Sequence, residues 1–242
     1  MNARAVGASA LARVSAIENV VPAPVIGELR AQVIDLQARK PRPGDGGTYW
    51  YALAAPPRLM FEQVIGHLRR FVPGGHDFVG AEWWFRATTT DTGFPFHFDR
   101  DEGIRSSIVS PDLASILYLS NAGGPTVILD ATPSRVTAPR AGIAVHPRPG
   151  RFGMFPGTLL HGVLPGPPGR WPRVTMLVNW WRTVPRMECA PAHRSSTRAS
   201  SRWRLGVDRV TPPSTALESF DPSRLLAKAA WRDIISNQIT YR

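Results

Sequence analysis

The N-terminal third of the chain carries two apolar patterns with helical period. Between Val25 and Arg39, apolar residues recur at steps of one, three and four, and most charged residues fall elsewhere on the helical wheel. A second stripe of this kind begins after Pro57 and stops before Pro73. The two patterns predict helices that flank another structure.

From about residue 80 the pattern changes to short β-like runs that are separated by glycine and proline. We predict strands at Ala81–Thr88, Phe94–Phe98, Ser115–Ser120, Thr126–Asp130, Gly142–His146, Arg151–Phe155, Leu159–Val163 and Arg173–Trp181. Short strands joined by turns favour a β-sandwich or a jelly-roll barrel over alternating βαβ units. The expected fold class is therefore mostly β with flanking helices.

The sequence beyond the last predicted strand has a different character. After Pro185 it is loop-like and rich in arginine, and a final helix is predicted from Pro222 to Asn237. No internal repeat or clear linker divides the chain, so we predict one domain over residues 1–242. Its parts would be a helical support (1–79), a β core (80–182) and a basic loop with a C-terminal helix (183–242).

Composition excludes several classes of protein. The chain has 242 residues, 43% hydrophobic and 19% charged, which is typical of a globular protein with a buried core. A single cysteine, Cys189, excludes an intramolecular disulfide scaffold. No apolar run approaches the ~18 residues that a membrane span needs. Residues 1–16 contain Arg4 and Arg13 without an acid, but they lack the apolar stretch of a secretory signal, so we expect a cytoplasmic protein.

The net charge of +11 has two interpretations. A nucleic-acid or acidic-membrane binder would carry it, and so would an enzyme with a basic surface. Six arginines lie between Arg182 and Arg204, with Glu188 as the one acid there, so the charge is concentrated after the β core. This concentration favours the enzyme, and we expect neither a nucleic acid nor a membrane as its partner.

Two histidines and one aspartate have the pattern of a metal site. In a strand, residues two apart point to the same face, so His97 and Asp99 can approach one point together. His161 lies in another apolar strand run and would supply a second imidazole. Two histidines and one carboxylate form the facial triad of non-haem Fe(II) oxygenases, which leaves positions open for a co-substrate and O₂.

The last predicted strand adds a second chemical feature. One of its faces carries Val174, Met176, Val178 and Trp180, and the other carries Arg173, Thr175, Leu177, Asn179 and Trp181. The mixed face would lie either in water or inside a barrel. In the barrel, Arg173 would need an anionic partner, since a buried unpaired guanidinium is costly. A carboxylate held in bidentate fashion, with the Thr175 hydroxyl beside it, would satisfy this need.

Taken in order, these motifs resemble the Fe(II)/2-oxoglutarate-dependent oxygenases, nearest to their prolyl-hydroxylase-like branch. His97-Phe98-Asp99 resembles the family's H-x-D, and residues 115–126 resemble its strand with a Gly-Gly-x-Thr turn. Residues 153–163 resemble the approach to the second histidine. Arg173-Val174-Thr175, twelve positions after His161, resembles the R-x-S/T pair. The resemblance covers roughly residues 80–182 and implies a double-stranded β-helix, the jelly-roll or cupin-like core.

The resemblance also implies cofactors and an activity. Fe(II) would be held by His97, Asp99 and His161. The distal carboxylate of the co-substrate 2-oxoglutarate would be held by Arg173 with Thr175 and Tyr118. The implied reaction consumes O₂, releases succinate and CO₂, and hydroxylates an unactivated C–H bond. The substrate would be a small molecule, amino-acid-like or a natural-product intermediate, or a peptide side chain.

Substrate contacts follow from the aromatic and basic residues near the predicted strands. We expect Trp84 and Trp181 to form pocket walls and Arg100 or Arg105 to lie at the mouth, which would suit an anionic or amino-acid-like substrate. Two alternatives stay open at this point. One is a nucleic-acid demethylase of the same superfamily, and the other is a metal-free cupin-like binding module.

Overall fold

A computed structural model of the chain describes residues 10–39, 47–134, 138–189, 198–199, 205–206 and 216–225. Within these ranges, two α-helices precede most of the strands: α1 (Ala23–Ala38) and α2 (Met60–Leu68). The strands are β1 (Ser15–Ile17), β2 (Tyr49–Ala52), β3 (Gly80–Thr88), β4 (Phe94–His97), β5 (Leu113–Tyr118), β6 (Thr126–Leu129), β7 (Gly142–Val145), β8 (Phe152–Pro156), β9 (His161–Val163), β10 (Arg173–Trp181) and β11 (Leu217–Phe220).

The strands form two antiparallel sheets. The major sheet has the order β1-β8-β5-β10-β3-β2, and the minor sheet has the order β11-β7-β6-β9-β4. Neighbouring strands in each sheet are mostly distant in sequence, as in a jelly roll. The structure thus confirms a mostly β fold with flanking helices and a jelly-roll core, and each of the eight predicted strands has a counterpart.

Three strands were not predicted, and each lies at the edge of a sheet. β1 and β2 border the major sheet, and β11 borders the minor sheet. They are three or four residues long, and they lie in segments whose patterns were interpreted as helical or loop-like. The segments predicted as helical support and as basic loop therefore each contribute strands to the sheets. The division of the chain into one domain with three parts stays a prediction.

Strand β10 separates two apolar layers, as its alternation predicts. Val174, Met176, Val178 and Trp180 are fully buried in a cluster with residues of both helices. The opposite face of the strand points between the two sheets, where Leu177 packs against a second cluster that includes Ile116, Ile128 and Phe155. The major sheet is thus covered on one face by helices and on the other by the minor sheet, which encloses the polar face of β10.

The helices are close to their predicted positions. The predicted apolar stripe of α1 is buried: Val25, Ile26, Leu29, Val33 and Leu36. Helix α2 begins at Met60, shortly after Pro57, where the carboxylate of Glu62 accepts hydrogen bonds from the backbone N–H groups of Arg58 (2.6 Å) and Leu59 (3.0 Å). This acid satisfies backbone donors at the helix start, and so defines where the helix begins.

The predicted C-terminal helix lies mainly outside the described residues. A single 3₁₀ turn, Pro222–Arg224, follows β11, and the structure describes the chain no further than Leu225. Among the helices in the described ranges, none combines the length and the apolar character that crossing a membrane requires.

Candidate metal centre and adjoining cavities

Strands β4 and β9 bring the two predicted histidine ligands together. The strands are antiparallel neighbours, and their register pairs His97 with His161 directly, with an irregularity between Phe94 and His97. The two imidazole rings lie 4.4 Å apart between centroids. Asp99 follows the end of β4 by two residues. One ligand atom from each of the three residues lies within 4.8 Å of the others, so the three could hold a metal ion together.

The backbone of each strand orients the histidine that it carries. Nδ1 of His97 lies 2.9 Å from the carbonyl oxygen of Pro95, and Nδ1 of His161 lies 3.0 Å from that of Leu159. A carbonyl oxygen accepts only, so each Nδ1 carries a proton, and Nε2 is the ring nitrogen that a metal can bind. Both Nε2 atoms face the Asp99 carboxylate, at 3.4 Å and 3.6 Å. These are the tautomers that metal binding through Nε2 requires.

The protonation states of the cluster also suit a metal. Burial would raise the pKa of Asp99, but the nearby His161 and a hydrogen bond from His97 lower it to about 2. Burial lowers the pKa of His161 to about 4. Burial is also the largest single influence on His97 and lowers its pKa, but the hydrogen bond with Asp99, the charge of Asp99 and the Pro95 carbonyl together raise the pKa above its usual value. At neutral pH Asp99 is therefore anionic and His161 neutral, the forms that coordinate cations.

Arg173 lies between the sheets with little to balance its charge. Its side chain is buried at 6% exposure, and it forms no ion pair with any acid in the described part of the chain. Nη2 donates to the Thr126 hydroxyl at 2.9 Å, and Nη1 donates more weakly to Thr175 at 3.5 Å. The buried Nε–H has no acceptor among the described residues. A buried guanidinium with an orphan donor fits an anionic ligand.

Tyr118 and Thr126 complete the surroundings of Arg173. The Tyr118 hydroxyl donates to Thr126 Oγ1 (2.8 Å) and lies 3.1 Å from the Val145 carbonyl, and the Arg173 guanidinium lies 5.5 Å from the Tyr118 ring centroid. Gly123 has φ +86°, and a Cβ there would lie 2.7 Å from Cδ of Arg173. Only glycine therefore combines this backbone conformation with close packing on the arginine stem.

Two cavities meet at the metal cluster. The larger, of about 640 Å³, is lined by His97 and Asp99. The smaller, of about 50 Å³, is lined by His161, Arg173 and Thr175. The residues that line both cavities are Trp84, Arg86, Phe94 and His97. The small cavity thus leads from Arg173 to the metal cluster, and the large cavity continues from there.

The four predicted substrate residues have different surroundings. Trp84 and Arg100 line the large cavity, and Arg100 is held by Glu102 through two N–O contacts of 3.1 Å. Arg105 is exposed and outside the lining of either cavity. Trp181 is buried at 2% exposure and contributes to neither lining. Arg105 and Trp181 are therefore not placed to contact a molecule bound in either described cavity.

Two charged residues of strand β3 that line the large cavity were not predicted. Glu82 and Arg86 lie on the same face of β3 as Trp84, because residues two and four apart share a strand face. The carboxylate of Glu82 accepts hydrogen bonds from Asn179 (3.3 Å) and Trp181 (3.4 Å), and burial raises its pKa to about 7. Trp84 was predicted to form a pocket wall, and residues two positions before and after it in a strand share its face. This alternation of side chains could have identified both Glu82 and Arg86.

Asp101, two residues after Asp99, is outside the metal cluster and is hydrogen-bonded to the backbone. Its side chain is buried, and its carboxylate accepts hydrogen bonds from the backbone N–H groups of Gly103 (3.0 Å) and Arg186 (2.6 Å). It therefore joins the segment after β4 to the segment after β10, next to the wall of the large cavity.

Comparison with solved structures identifies the fold. A prolyl-4-hydroxylase from Pseudomonas putida superposes with a TM-score of 0.51 at 19% sequence identity, covering 75% of this chain and 99% of the hydroxylase. The chain has the fold of that hydroxylase. No protein-family model matches the sequence, and neither does any curated protein. At this identity the likeness establishes the architecture, while the chemistry is inferred from the residues of the site.

Two further solved structures superpose less closely. AviO1 from Streptomyces viridochromogenes Tue57 is 16% identical and has a TM-score of 0.48, over 78% of this chain and 98% of AviO1. HygX from Streptomyces hygroscopicus, crystallised with nickel and 2-oxoglutarate, is 14% identical and has a TM-score of 0.43, over 69% of this chain and 82% of HygX. With scores below 0.5, neither adds to the assignment of the fold.

Proposed function

We propose that this protein is an Fe(II)- and 2-oxoglutarate-dependent dioxygenase that hydroxylates an unactivated C–H bond and releases succinate and CO₂. Its substrate would be a small molecule, amino-acid-like or a natural-product intermediate, or a peptide side chain. One observation carries the proposal: a two-histidine, one-carboxylate cluster lies beside a cavity that contains a buried arginine without an acidic partner.

The donor set supports a non-haem iron site. Two imidazole nitrogens and one carboxylate occupy one face of a metal ion and leave other positions for additional ligands. The histidine tautomers and the ionised Asp99 are already in the forms that bind metal. Bound iron would supply the activation of O₂, coupled to the oxidative decarboxylation of 2-oxoglutarate.

Arg173 and its neighbours would hold the co-substrate. The orphan Nε–H of Arg173 and its Nη atoms would donate to the distal carboxylate of 2-oxoglutarate, with the hydroxyls of Thr126 and Thr175 beside it. The small cavity lies between Arg173 and His161, so a dicarboxylate held there would reach toward the metal. Enclosure between two sheets would keep water away from this charged contact and so strengthen it.

The first test measures turnover without the primary substrate. Protein purified anaerobically and given Fe(II), 2-oxoglutarate and air should release succinate slowly. Asp99→Ala and His161→Ala should lose both this succinate and Mn(II) binding, measured by titration calorimetry. His146→Gln serves as the control, since His146 pairs with Glu218 outside the cluster and its replacement should change neither readout. Arg173→Gln should keep Mn(II) binding but require at least about tenfold more 2-oxoglutarate.

The same experiment separates the alternatives. A wild-type protein that binds no metal and forms no succinate would contradict the proposal and favour the metal-free binding module. A protein that turns over and binds DNA or RNA with a strong salt dependence would instead be a nucleic-acid demethylase. Full activity in Asp99→Ala would show that the proposed ligands are wrong.

A further inference from the structure

The arginines around the large cavity differ in how their charge is balanced. Arg100 pairs with Glu102, and Arg39 pairs with Asp35. Arg86 forms no salt bridge with any of the described residues. It is thus a cation of the cavity wall whose charge the described part of the chain does not neutralise by direct contact.

The sheet directs Arg86 toward the metal cluster. Strand register pairs it with Thr175 of β10, so both side chains lie on the inner face of the major sheet. Its guanidinium lies over the ring of Phe94, with Cζ 4.2 Å from the ring centroid. This cation–π contact holds the guanidinium against the ring, and its N–H groups donate no hydrogen bond to the described residues. Arg86 lines both cavities, at the point where they meet.

The charges of the proposed complex leave Arg86 unbalanced. A divalent metal and Arg173 together offset Asp99 and the two carboxylates of 2-oxoglutarate. Glu82 shares the strand face of Arg86, but four residues along a strand separate their backbones by about 13 Å, and the two form no ion pair. A positive charge therefore remains where the large cavity reaches the metal, and a partly buried cation of this kind favours an anionic ligand.

We propose that Arg86 binds a carboxylate group of the primary substrate, so that the substrate is a small carboxylic acid. This inference rests on the proposed function. A guanidinium and a carboxylate match in a planar, bidentate arrangement. The substrate, and not 2-oxoglutarate, would supply the carboxylate, because Arg173 holds one end of 2-oxoglutarate and the metal holds the other. Trp84 and Phe98, which line the same cavity, would contact the apolar part of the substrate.

Acetate is the minimal probe for this site, and acetamide is its uncharged counterpart. Mn(II) bound to the cluster accelerates the nuclear relaxation of any molecule held near it, so the relaxation of ¹³C-labelled acetate reports binding close to the metal. The measurement is made on full-length protein saturated with Mn(II) and 2-oxoglutarate. Wild-type protein should enhance the relaxation of acetate and not that of acetamide.

Three variants test the role of Arg86. Arg86→Gln should weaken acetate binding at least tenfold, and Arg86→Lys should fall between this variant and wild type, since it keeps the charge but loses the planar fork. Arg140→Gln, which removes an exposed arginine outside both cavities, should behave as wild type. Mn(II) and 2-oxoglutarate affinities should stay unchanged in all of them, which also shows that the variants are folded.

Other outcomes would overturn the inference. Equal acetate binding by Arg86→Gln and wild type would show that Arg86 holds no carboxylate, and so would the absence of any difference between acetate and acetamide. A tenfold loss of 2-oxoglutarate affinity in Arg86→Gln would assign Arg86 to the co-substrate instead of the substrate. Failure of the wild-type protein to bind Mn(II) would overturn the proposed function itself, and this inference with it.

Discussion

Replacing Glu82 by glutamine should stabilise the metal-free protein at pH 8 and change it little at pH 5. The carboxyl group is buried at 5% exposure, and its pKa rises from 4.5 to about 7, chiefly because burial disfavours the ionised form, with the nearby Asp99 as the second cause. At a pH between these two pKa values, 4.5 and about 7, the folded protein holds a proton at Glu82 that the unfolded chain has released. Stability therefore falls as pH rises through this interval and stays reduced above it.

The size of the effect follows from the two pKa values. One unit of pKa corresponds to about 1.4 kcal/mol, so the raised pKa of Glu82 lowers the free energy of unfolding by about 3 kcal/mol at pH 8 and by under about 1 kcal/mol at pH 5. Glutamine avoids this cost and can keep its oxygen toward Asn179 and Trp181, since both donate to the same oxygen, Oε2. The difference between variant and wild type should thus grow by about 2 kcal/mol between pH 5 and pH 8.

Urea unfolding at several pH values measures this difference. Metal-free protein is used, because a divalent ion near Asp99 would favour the ionised form of Glu82. Glu188→Gln, at an exposed position, is the control and should shift the free energy of unfolding by no more than about 0.5 kcal/mol at any pH. A Glu82→Gln difference that does not change with pH would refute the reasoning, since it would mean that Glu82 titrates alike in the folded and unfolded states.

Two further predictions concern stability. Glu18→Ala leaves the buried Arg151 without its 2.6 Å ion-pair partner and should lower the free energy of unfolding by about 3–5 kcal/mol in urea denaturation; a loss below 1 kcal/mol would mean that water reaches Arg151. Gly124→Ala would place a Cβ 2.0 Å from the Leu164 carbonyl oxygen and should cost about 1–3 kcal/mol or more in the same assay, whereas an unchanged midpoint would show that this turn can shift without cost.

The long strands with regular alternation, β3 and β10, were predicted most accurately, whereas three of the short strands at the sheet edges were missed. The predicted and observed limits of the last core strand agree at Arg173–Trp181, because nine residues show the period of two clearly. β1, β2 and β11 pair with strands that are distant in sequence, and a local sequence pattern does not show such pairing. The start of α2 depends on the Glu62 carboxylate, a contact that the hydrophobic periodicity alone does not show.

For the candidate site, the spacing of motifs in the sequence predicted the candidate residues. The pairing register of the strands determines which of these side chains lie close together. The structure brings His97, Asp99 and His161 together because β4 and β9 pair in register, and no local sequence feature specifies that pairing. Arg86 was missed because a charged residue in a strand is ordinarily solvent-exposed, and only the cover of the second sheet encloses it. Arg105 is exposed because it lies in a segment outside the sheets, a position that composition does not reveal.

The hydrogen bonds that orient the two histidines have a consequence for how this site can diversify. Each ring is held by the carbonyl group two residues earlier in its own chain segment, Pro95 for His97 and Leu159 for His161. Side chains of the cavity wall do not supply these contacts. Substitutions along the β3 face can therefore change which substrate binds and leave the orientation of the two imidazole rings unchanged. Mutations can therefore change substrate selectivity without changing metal binding. The β3 face is the region in which to make such mutations.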